Sequence, residues 1–332
     1  MTSSDDLLSR AREIAENVLF PATIEIDRSG AVPASHLDLL AKEGFYGLAA
    51  PAEFGGPDVD LATASDVMQT LASACLCTTF VWMQHHGVVL RLAFQPGPLR
   101  DEWLPGLVAG ERRAGVALGG GLPGPPVLAA TRTADGYVLN GHSPWVTGWG
   151  MVDVLAVLAR DGDTLVWALV DATESATLAV EPLELVAVNA SNTVTARFTD
   201  HPVPAERLFG TQDHAEFVAA DATRLRMNGS LSLGLTARCT TLLGPGPLDA
   251  ELTAARTRLD TAEPEDMPDA RAQASALASR AATTLVASAG SRGILLDQHP
   301  QKLAREALFL LVFASRPAIK QALLPRLLRP TA

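Results

Sequence analysis

The sequence predicts an α+β protein of several domains: an all-α N-terminal domain, a middle antiparallel β-barrel or sandwich, and a C-terminal helical bundle. The apolar residues recur at helical spacing from about residue 4 to 112, form short β runs from about 113 to 210, and return to helical spacing from about 213 to 332. Because no long helix separates the β runs, antiparallel pairing is favoured. A chain of 332 residues is long enough for two or three domains. We place them at residues 1–112, 113–212 and 213–332.

The N-terminal block predicts three helices. Asp5 and Asp6 would lie in the first turn of the first helix, where the helix dipole stabilises carboxylates. Ser35 and Asp38 resemble a capping box before a second helix, and Gly44 would end that helix. A third helix is expected over residues 61–76. The apolar face of the first helix comprises Leu7, Leu8, Ala11, Ile14, Ala15 and Val18.

The middle block predicts short strands separated by turns. Runs of β-forming residues cover 137–139, 154–158 and 164–170. The dipeptides Asp135-Gly136, Asn140-Gly141 and Asp161-Gly162 are typical of the turns between such strands. Several short strands spaced in this way indicate a small barrel or sandwich.

The C-terminal block predicts helices over Ala272–Ala289, Leu303–Phe313 and Ile319–Leu328. Glycine and proline interrupt the helical period between Gly244 and Pro247, so Cys239–Leu248 is expected to be a loop. A second interruption is the acidic stretch Glu263–Pro268.

Composition and charge exclude several classes of partner. The formal net charge of −11 repels phosphate backbones, so we expect no nucleic acid partner. Only three of the 26 basic residues are lysine, which leaves no Lys-rich patch for anionic lipid. The apolar run Leu308–Ala314 is much shorter than the roughly 20 residues that span a bilayer, so we expect no membrane partner.

The start of the chain and its cysteines predict a cytoplasmic protein. The N-terminus is acidic and lacks the basic and apolar regions of a secretory signal. The three cysteines, Cys75, Cys77 and Cys239, form neither an even disulfide framework nor a C-x-x-C motif. Free, buried thiols in a reducing compartment are the simplest interpretation, and we expect no metal site.

Four short sequence motifs, in order along the chain, resemble motifs of the acyl-CoA dehydrogenase family. The first is Gly47–Gly56, similar to the family's G-L-x-x-P-x-x-x-G-G loop, and the second is Gly136–Gly141 followed by Trp145–Gly148. The third, Phe198–Leu208, resembles the F-x-D-x-x-V-P strand exit. The fourth, Gly290–Gly293 followed by His299–Ala307, resembles the G-G-x-G loop and the R-D/E-A helix of the C-terminal bundle.

The resemblance implies a flavoprotein that uses FAD to oxidise an acyl thioester carried by CoA or another carrier. Trp145 and Thr147, with Val146 between them, match positions that cover the flavin ring and offer a hydroxyl near its N5 atom. Gly290 and Gly293 would let the backbone approach the cofactor's pyrophosphate. The structural alternatives are a strand tryptophan packed between domains and a helix C-terminal turn. The family also implies oligomers and, as a possible partner, an electron-accepting flavoprotein.

The second flavin loop departs from the family pattern. The family has T-E-P-x-x-G-S-D where this chain has Gly119–Pro126, and only Gly124 matches. The threonine and serine hydroxyls are missing, and Pro125 and Pro126 have no N–H to donate. This loop therefore offers fewer groups for holding FAD and the phosphates of CoA.

The catalytic base is also missing. The family's usual glutamate position falls on Ala314, and the alternative position on the first helix of the bundle falls near Thr223 or Arg224. None of these side chains is a carboxylate, so the base is unassigned. The bundle is also shortened, because Cys239–Leu248 replaces a stretch with an arginine that contacts the cofactor of a neighbouring subunit in the family.

Substitute bases are few. His85 or His86 could supply a near-neutral base, although packing in the core is the plainer interpretation. Glu306 would be a structural acid, and Glu216 and Asp221 would be solvated charges near a helix start.

Two hypotheses follow. The first is a flavin-dependent enzyme that oxidises an acyl thioester. The second is a catalytically inactive subunit that keeps the fold and pairs with an active paralogue.

Overall fold

Helices form the first part of the chain. The computed structural model describes residues 4–122, 124–219 and 221–328. A π-helical stretch, Ala15–Leu19, joins the first two helices. The helices before the sheet are α1 (Ser4–Ile14), α2 (Phe20–Ser29), α3 (Ala34–Lys42), α4 (Leu61–Ala74), α5 (Leu76–Ala93) and α6 (Pro98–Ala109).

The predicted helix ends are confirmed in part. Helix α4 covers nearly all of the expected 61–76, and Gly44 follows α3 with φ at 79°. The capping box at Ser35 is wrong, because α3 already begins at Ala34 after the extended Pro33 and has no side-chain cap. Asp60 instead caps α4, since its Oδ1 accepts a hydrogen bond of 2.8 Å from the Thr63 amide.

The middle of the chain forms one sheet. Its strands are β1 (Ala114–Ala117), β2 (Leu128–Arg132), β3 (Gly136–Val146), β4 (Val154–Asp161), β5 (Thr164–Asp171), β6 (Leu178–Pro182), β7 (Val194–Pro204) and β8 (Leu208–Asp213). Seven of them lie in the order β6-β7-β3-β2-β4-β5-β8, and β1 pairs with β4 outside this path. Most neighbours are antiparallel, as expected, but β1 pairs β4 in parallel and β2 meets β4 in parallel at one residue pair. The sheet is therefore mixed.

The C-terminal part is helical, and the three helices predicted there are confirmed with small changes at their ends. The loop expected over Cys239–Leu248 is wrong at both ends, because helix runs to Leu243 and resumes at Pro247. Gly244, with φ at 84°, makes the break. The helices are α7 (His214–Ala219), α8 (Asp221–Leu243), α9 (Pro247–Thr261), α10 (Met267–Ala289), α11 (His299–Val312) and α12 (Pro317–Leu328).

The two helical parts share one hydrophobic core. Leu7 and Leu71 of the N-terminal helices are buried in the same cluster as Leu231, Leu285 and Leu310 of the C-terminal helices. The three cysteine thiols are free and buried, as predicted. A second core lies within the sheet, and a third joins one face of the sheet to α5 and α6.

Within the described ranges, no helix combines the length and the apolar character needed to cross a membrane.

Candidate functional site

Trp145 sits on a strained bulge at the end of β3. The pairing of β3 with β7 breaks register between Ser143 and Val146. Trp145 adopts φ at 59°, a conformation that bulky residues rarely tolerate, and its side chain is 61% exposed. Backbone strain of this kind persists where the surrounding structure holds it, and it is common at functional sites. The bulge thus presents a flat indole at the surface.

The two residues after Trp145 point inward. Val146 is buried in the core of the sheet. Thr147 is 2% exposed, and its Oγ1 lies 3.3 Å from the Oγ1 of Thr193, which is itself 2.7 Å from the Oγ of Ser191. The structure therefore brings the Thr147 hydroxyl into an internal chain of three hydroxyl groups rather than to the surface beside the indole.

The glycines of the Gly119–Pro126 loop pack against the protein's own strands. A Cβ on Gly119 would lie 2.6 Å from the His142 carbonyl oxygen, and one on Gly120 would lie 2.6 Å from the carbonyl carbon of Ala159. The Gly119 amide donates to Ser143 Oγ at 3.1 Å. The close approach that glycine permits here serves the contact between loop and sheet.

The second half of this loop is more open. Gly124 has φ at 89° and nothing within 4 Å of the place where a Cβ would lie. Its carbonyl accepts a hydrogen bond from the Arg160 guanidinium. Pro125 and Pro126 follow and offer no N–H.

The glycines of the Gly290–Gly293 turn end a helix. Gly290, with φ at 61°, is the C-cap of α10, and its amide donates to the Ala287 carbonyl. A Cβ on Gly293 would lie 2.9 Å from the Val286 carbonyl oxygen, so this glycine packs against α10. Only Gly290 has open space beside it, with nothing within 4 Å of a Cβ.

Ala314 follows α11 in a left-handed turn, with φ at 51°. The neighbouring amides are used in the turn: Phe313 donates to the Phe309 carbonyl at 2.8 Å, and Ser315 donates to the Val312 carbonyl at 3.2 Å. The Ala314 amide has no acceptor among the described residues, so it could donate to a bound carbonyl group.

Three phenyl rings, which the sequence interpretation missed, stand next to Ala314. Phe80 of α5 lies 5.0 Å from Phe309 and 5.1 Å from Phe313, and the last two rings are stacked at 5.2 Å. Phe80 is buried, whereas Phe309 and Phe313 are half-buried. The i, i+4 spacing of Phe309, on α11, and Phe313, directly after its end, was the available signal. These rings form an apolar wall.

The second base position gives no carboxylate either. The Thr223 side chain and the Asp221 side chain lie outside the described part of the chain. The Arg224 Nη2 donates to the Phe217 carbonyl at 2.7 Å, and its guanidinium lies 4.3 Å from the centre of the Phe217 ring. Glu216 is exposed on the short helix α7.

The histidines considered as substitute bases belong to the core. His85 accepts a hydrogen bond at Nδ1 from the Ala114 amide at 3.0 Å, and its Nε2 donates to the Leu107 carbonyl at 3.1 Å. Burial lowers the pKa of His85 to about 3. His86 packs edge-on against Trp82 at 4.3 Å, and burial holds its pKa well below the usual value.

Glu306 pairs with Lys302 inside the helical core. Both side chains are 3% exposed, and the Lys302 Nζ lies 2.5 Å from the Glu306 Oε1. Burial raises the pKa of Glu306, because desolvation disfavours its charged form. Arg305 pairs elsewhere, with Asp27 of α2. Glu306 therefore pairs within α11, whereas the Arg305–Asp27 pair joins the two helical parts of the chain.

The residues of this site suit the aromatic ring of FAD better than its diphosphate. The exposed indole of Trp145 can cover a flat aromatic ring. The described residues of the Gly119–Pro126 loop offer a diphosphate neither a side-chain hydroxyl nor a charged group, and two of them have no amide hydrogen. The phosphate end would need donors from outside this loop.

Comparison with known proteins finds a match for the N-terminal third of the chain. Residues 2–111 match the sequence model of the acyl-CoA dehydrogenase N-terminal domain. The chain is 26% identical to 3-sulfinopropanoyl-CoA desulfinase of Variovorax paradoxus over 160 residues, 47% of this chain and 40% of that protein. It is 24% identical to the mitochondrial short-chain specific acyl-CoA dehydrogenase of Bos taurus over 216 residues, 61% of this chain and 52% of that protein. The chain thus spans about half the length of the curated relatives it matches.

Solved structures extend the likeness in fold to the whole chain. A glutaryl-coenzyme A dehydrogenase in complex with glutaryl-CoA has a TM-score of 0.86 at 17% identity, covering 96% of this chain and 93% of that one. Butyryl-CoA dehydrogenase from Megasphaera elsdenii has a TM-score of 0.83 at 20% identity, covering 98% of each chain. These solved structures show that the chain shares their fold over nearly its whole length, and the match to the acyl-CoA dehydrogenase N-terminal domain covers residues 2–111 of it.

Proposed function

We propose that this chain is a flavoprotein that binds FAD and oxidises an acyl thioester carried by CoA or a related carrier, by α,β-dehydrogenation or a related flavin reaction. The observation that carries the proposal is the exposed indole of Trp145, held on a bulge at φ 59°. A tryptophan kept in a strained conformation and facing outward is poorly explained by packing, and it suits a flat ring.

Several residues would hold the cofactor. Trp145 would cover the ring, with Val146 and Thr147 anchoring the strand behind it. Gly124 and Gly290 have open space beside their backbone and would let a ligand approach closely. Gly293 would hold the Gly290–Gly293 turn against α10. Bound FAD would supply a hydride acceptor.

The acyl thioester would lie against the apolar wall of Phe80, Phe309 and Phe313. These rings would bind an apolar acyl group and exclude water from it. The Ala314 amide would donate to the thioester carbonyl and so stabilise negative charge that develops on its oxygen. A methyl group accepts no proton, so Ala314 is not a base, and no side chain of this site is assigned that role.

A second candidate function is that of a catalytically inactive partner subunit in a hetero-oligomeric acyl-CoA dehydrogenase. Two observations favour it. Ala314 has no carboxylate, and Gly119–Gly121 pack against the chain's own strands and against Phe217. In this role the fold would be kept for docking on an active paralogue.

We also propose domain limits, partners and a cellular location for the protein. Residues 1–112, 113–212 and 213–332 would be the three domains, which the change from helix to strand after Ala109 and back at His214 supports. The likeness to acyl-CoA dehydrogenases suggests an oligomer, either of identical chains or with other members of that family, and an electron-accepting flavoprotein as a partner. The free, buried thiols favour the cytoplasm.

Absorption spectroscopy of the purified chain separates the two functions. A flavoenzyme should show the flavin bands, alone or after incubation with FAD, and should bleach when the right acyl-CoA is added. A chain that takes up no FAD would exclude the enzyme and favour the partner subunit. A chain that binds FAD but is bleached by no acyl-CoA would indicate a different flavin reaction.

A further inference from the structure

Phe80, Phe309 and Phe313 form one mutually packed group at the junction of α5 and the end of α11. The centre of the Phe80 ring lies 5.0 Å from that of Phe309 and 5.1 Å from that of Phe313, and the centres of Phe309 and Phe313 are 5.2 Å apart. Rings at these distances are in direct contact, so each ring touches both of the others. We use the term aromatic trio for these three residues.

The aromatic trio leaves no passage between its rings. Phe80 meets the other two at interplanar angles of 63° and 81°, and Phe309 stacks on Phe313 at 22°. An alkyl chain that passed between two rings would contact both of them, with about 3.5–4 Å between its carbons and the atoms of each ring. The ring centres would then have to be at least about 7 Å apart, well beyond the 5.0–5.2 Å observed. An alkyl chain can pass only if a ring moves.

Phe80 is the ring that is fixed most firmly. Its side chain is buried, whereas Phe309 and Phe313 are half-buried and keep part of their surface open. Phe80 belongs to the core that the two helical parts share, together with its neighbours Val81 and Trp82, and the other two rings pack against this core. Displacing a ring from a close-packed interior is costly. Phe80 therefore closes the trio on its inner side.

Ala314 lies directly beside the aromatic trio. It follows Phe313 in the chain, and its amide has no acceptor among the described residues. A thioester carbonyl that accepted a hydrogen bond from this amide would bring its acyl group to the open sides of Phe309 and Phe313. The acyl group would meet the closed trio a few bonds from the carbonyl.

We propose that Phe80 limits the ligand of this site to a short acyl group, which packs on Phe309 and Phe313 and ends at the closed trio. The inference rests on the proposed function, because it takes an acyl thioester as the ligand. A longer chain would have to displace Phe80 from the core, which costs packing, or turn back into water, where its additional methylene groups gain nothing from burial. Phe80 is thus a specificity-determining residue.

Calorimetric titration of the full-length chain, with FAD present, compares butyryl-CoA with octanoyl-CoA. Both ligands carry the same CoA, so the ratio of their dissociation constants reports on the acyl group alone. Each methylene group that is buried strengthens binding about fourfold. We expect the wild-type chain to bind octanoyl-CoA no more tightly than butyryl-CoA, because the additional methylene groups find no apolar space.

Phe80→Ala should open that space. We expect it to strengthen the binding of octanoyl-CoA about tenfold or more and to change that of butyryl-CoA by less than about threefold. Phe94→Ala is the matched control, because it removes an exposed ring directly after α5, and it should keep the wild-type ratio. Thermal unfolding must show that the Phe80 variant is folded. Phe309→Ala, at a half-buried ring of the trio, is a second variant less prone to unfolding and should shift the ratio in the same direction.

Wild-type binding of octanoyl-CoA about tenfold tighter than that of butyryl-CoA would overturn the inference. Folded Phe80→Ala and Phe309→Ala variants with the wild-type ratio would also overturn it, as would the absence of binding of either ligand.

Uptake of FAD by the same sample decides the proposed function separately. A chain that binds FAD and is bleached by octanoyl-CoA as readily as by butyryl-CoA would keep its function and lose the limit on acyl length. A chain that takes up no FAD but shows the predicted ratios would keep the limit and lose the flavin function.

Discussion

The Oγ1 of Thr147 lies 3.3 Å from the Oγ1 of Thr193, and both residues are 2% exposed. The threonine expected to face a flavin is thus held from the inside by a hydroxyl chain that ends at Ser191. These three hydroxyl groups link the strand that carries Trp145 to the turn before β7. The conformation of the bulge at Trp145 is therefore supported by polar contacts inside the protein.

Replacing Thr193 with valine tests this link. Thr193→Val keeps the shape of the side chain but leaves the hydroxyls of Thr147 and Ser191 without their shared partner. We expect the free energy of unfolding to fall by about 1–3 kcal/mol, the cost of burying unsatisfied polar groups. Urea denaturation measures the change, and the exposed Thr199→Val is the control. Equal stabilities of the two variants would contradict the hydroxyl chain.

Ala314→Glu tests whether Ala314 stands beside the reacting carbon. A glutamate there would add a carboxylate that can remove an α proton. We expect exchange of the α protons of a bound acyl-CoA with D2O, followed by NMR. Ala314→Gln, of similar size but not a base, should show none. Equal exchange by both variants would place Ala314 away from that carbon.

The close approach of Gly120 to β4 predicts a large effect of a small substitution. Gly120→Ala would place a Cβ 2.6 Å from the carbonyl carbon of Ala159, where backbone must move. We expect a loss of about 1–3 kcal/mol in unfolding free energy. Gly87→Ala is the matched control, because Gly87 is exposed in α5 with nothing within 4 Å, and alanine should stabilise the helix by about 1 kcal/mol. Similar effects of the two changes would contradict this packing.

The buried His85 predicts a loss of stability at acid pH. Its pKa is about 3 in the folded chain against 6.5 for the free side chain, so the unfolded state binds the proton more readily. The stabilisation is complete above pH 6.5 and declines as the pH falls towards 3, by up to about 1.4 kcal/mol per pH unit. Urea midpoints between pH 7.5 and 4.5 should fall less steeply for His85→Gln than for the wild type. Parallel slopes would show that His85 titrates normally.

The order of the domains could be predicted because the period of apolar residues is local. Helix α10 was predicted over Ala272–Ala289 and observed over Met267–Ala289, since its small residues recur on a buried face. The parallel pairing of β1 with β4 could not be predicted, because it joins Ala114 to Val154 across a hairpin of intervening strands. Helix α3 began before its apparent cap because Pro33 already fixes the extended residue at its start.

The sequence motifs of the candidate site could be recognised, but its geometry could not be predicted from them. The phrase around Trp145 indicated a cofactor wall, but the direction of the Thr147 hydroxyl depends on the register shift between Ser143 and Val146. The three phenyl rings beside Ala314 were missed because Phe80 lies on α5, far along the chain from Phe309 and Phe313, and meets them only when the helices pack. No spacing in the sequence predicts that contact.

The proposed function requires that a flavin ring packs against Trp145. A crystal structure of the full chain grown with FAD tests this most directly. We predict density for the ring stacked on the exposed indole at residue 145. A ring bound elsewhere in the molecule, or protein side chains covering that indole in crystals soaked with saturating FAD, would contradict it.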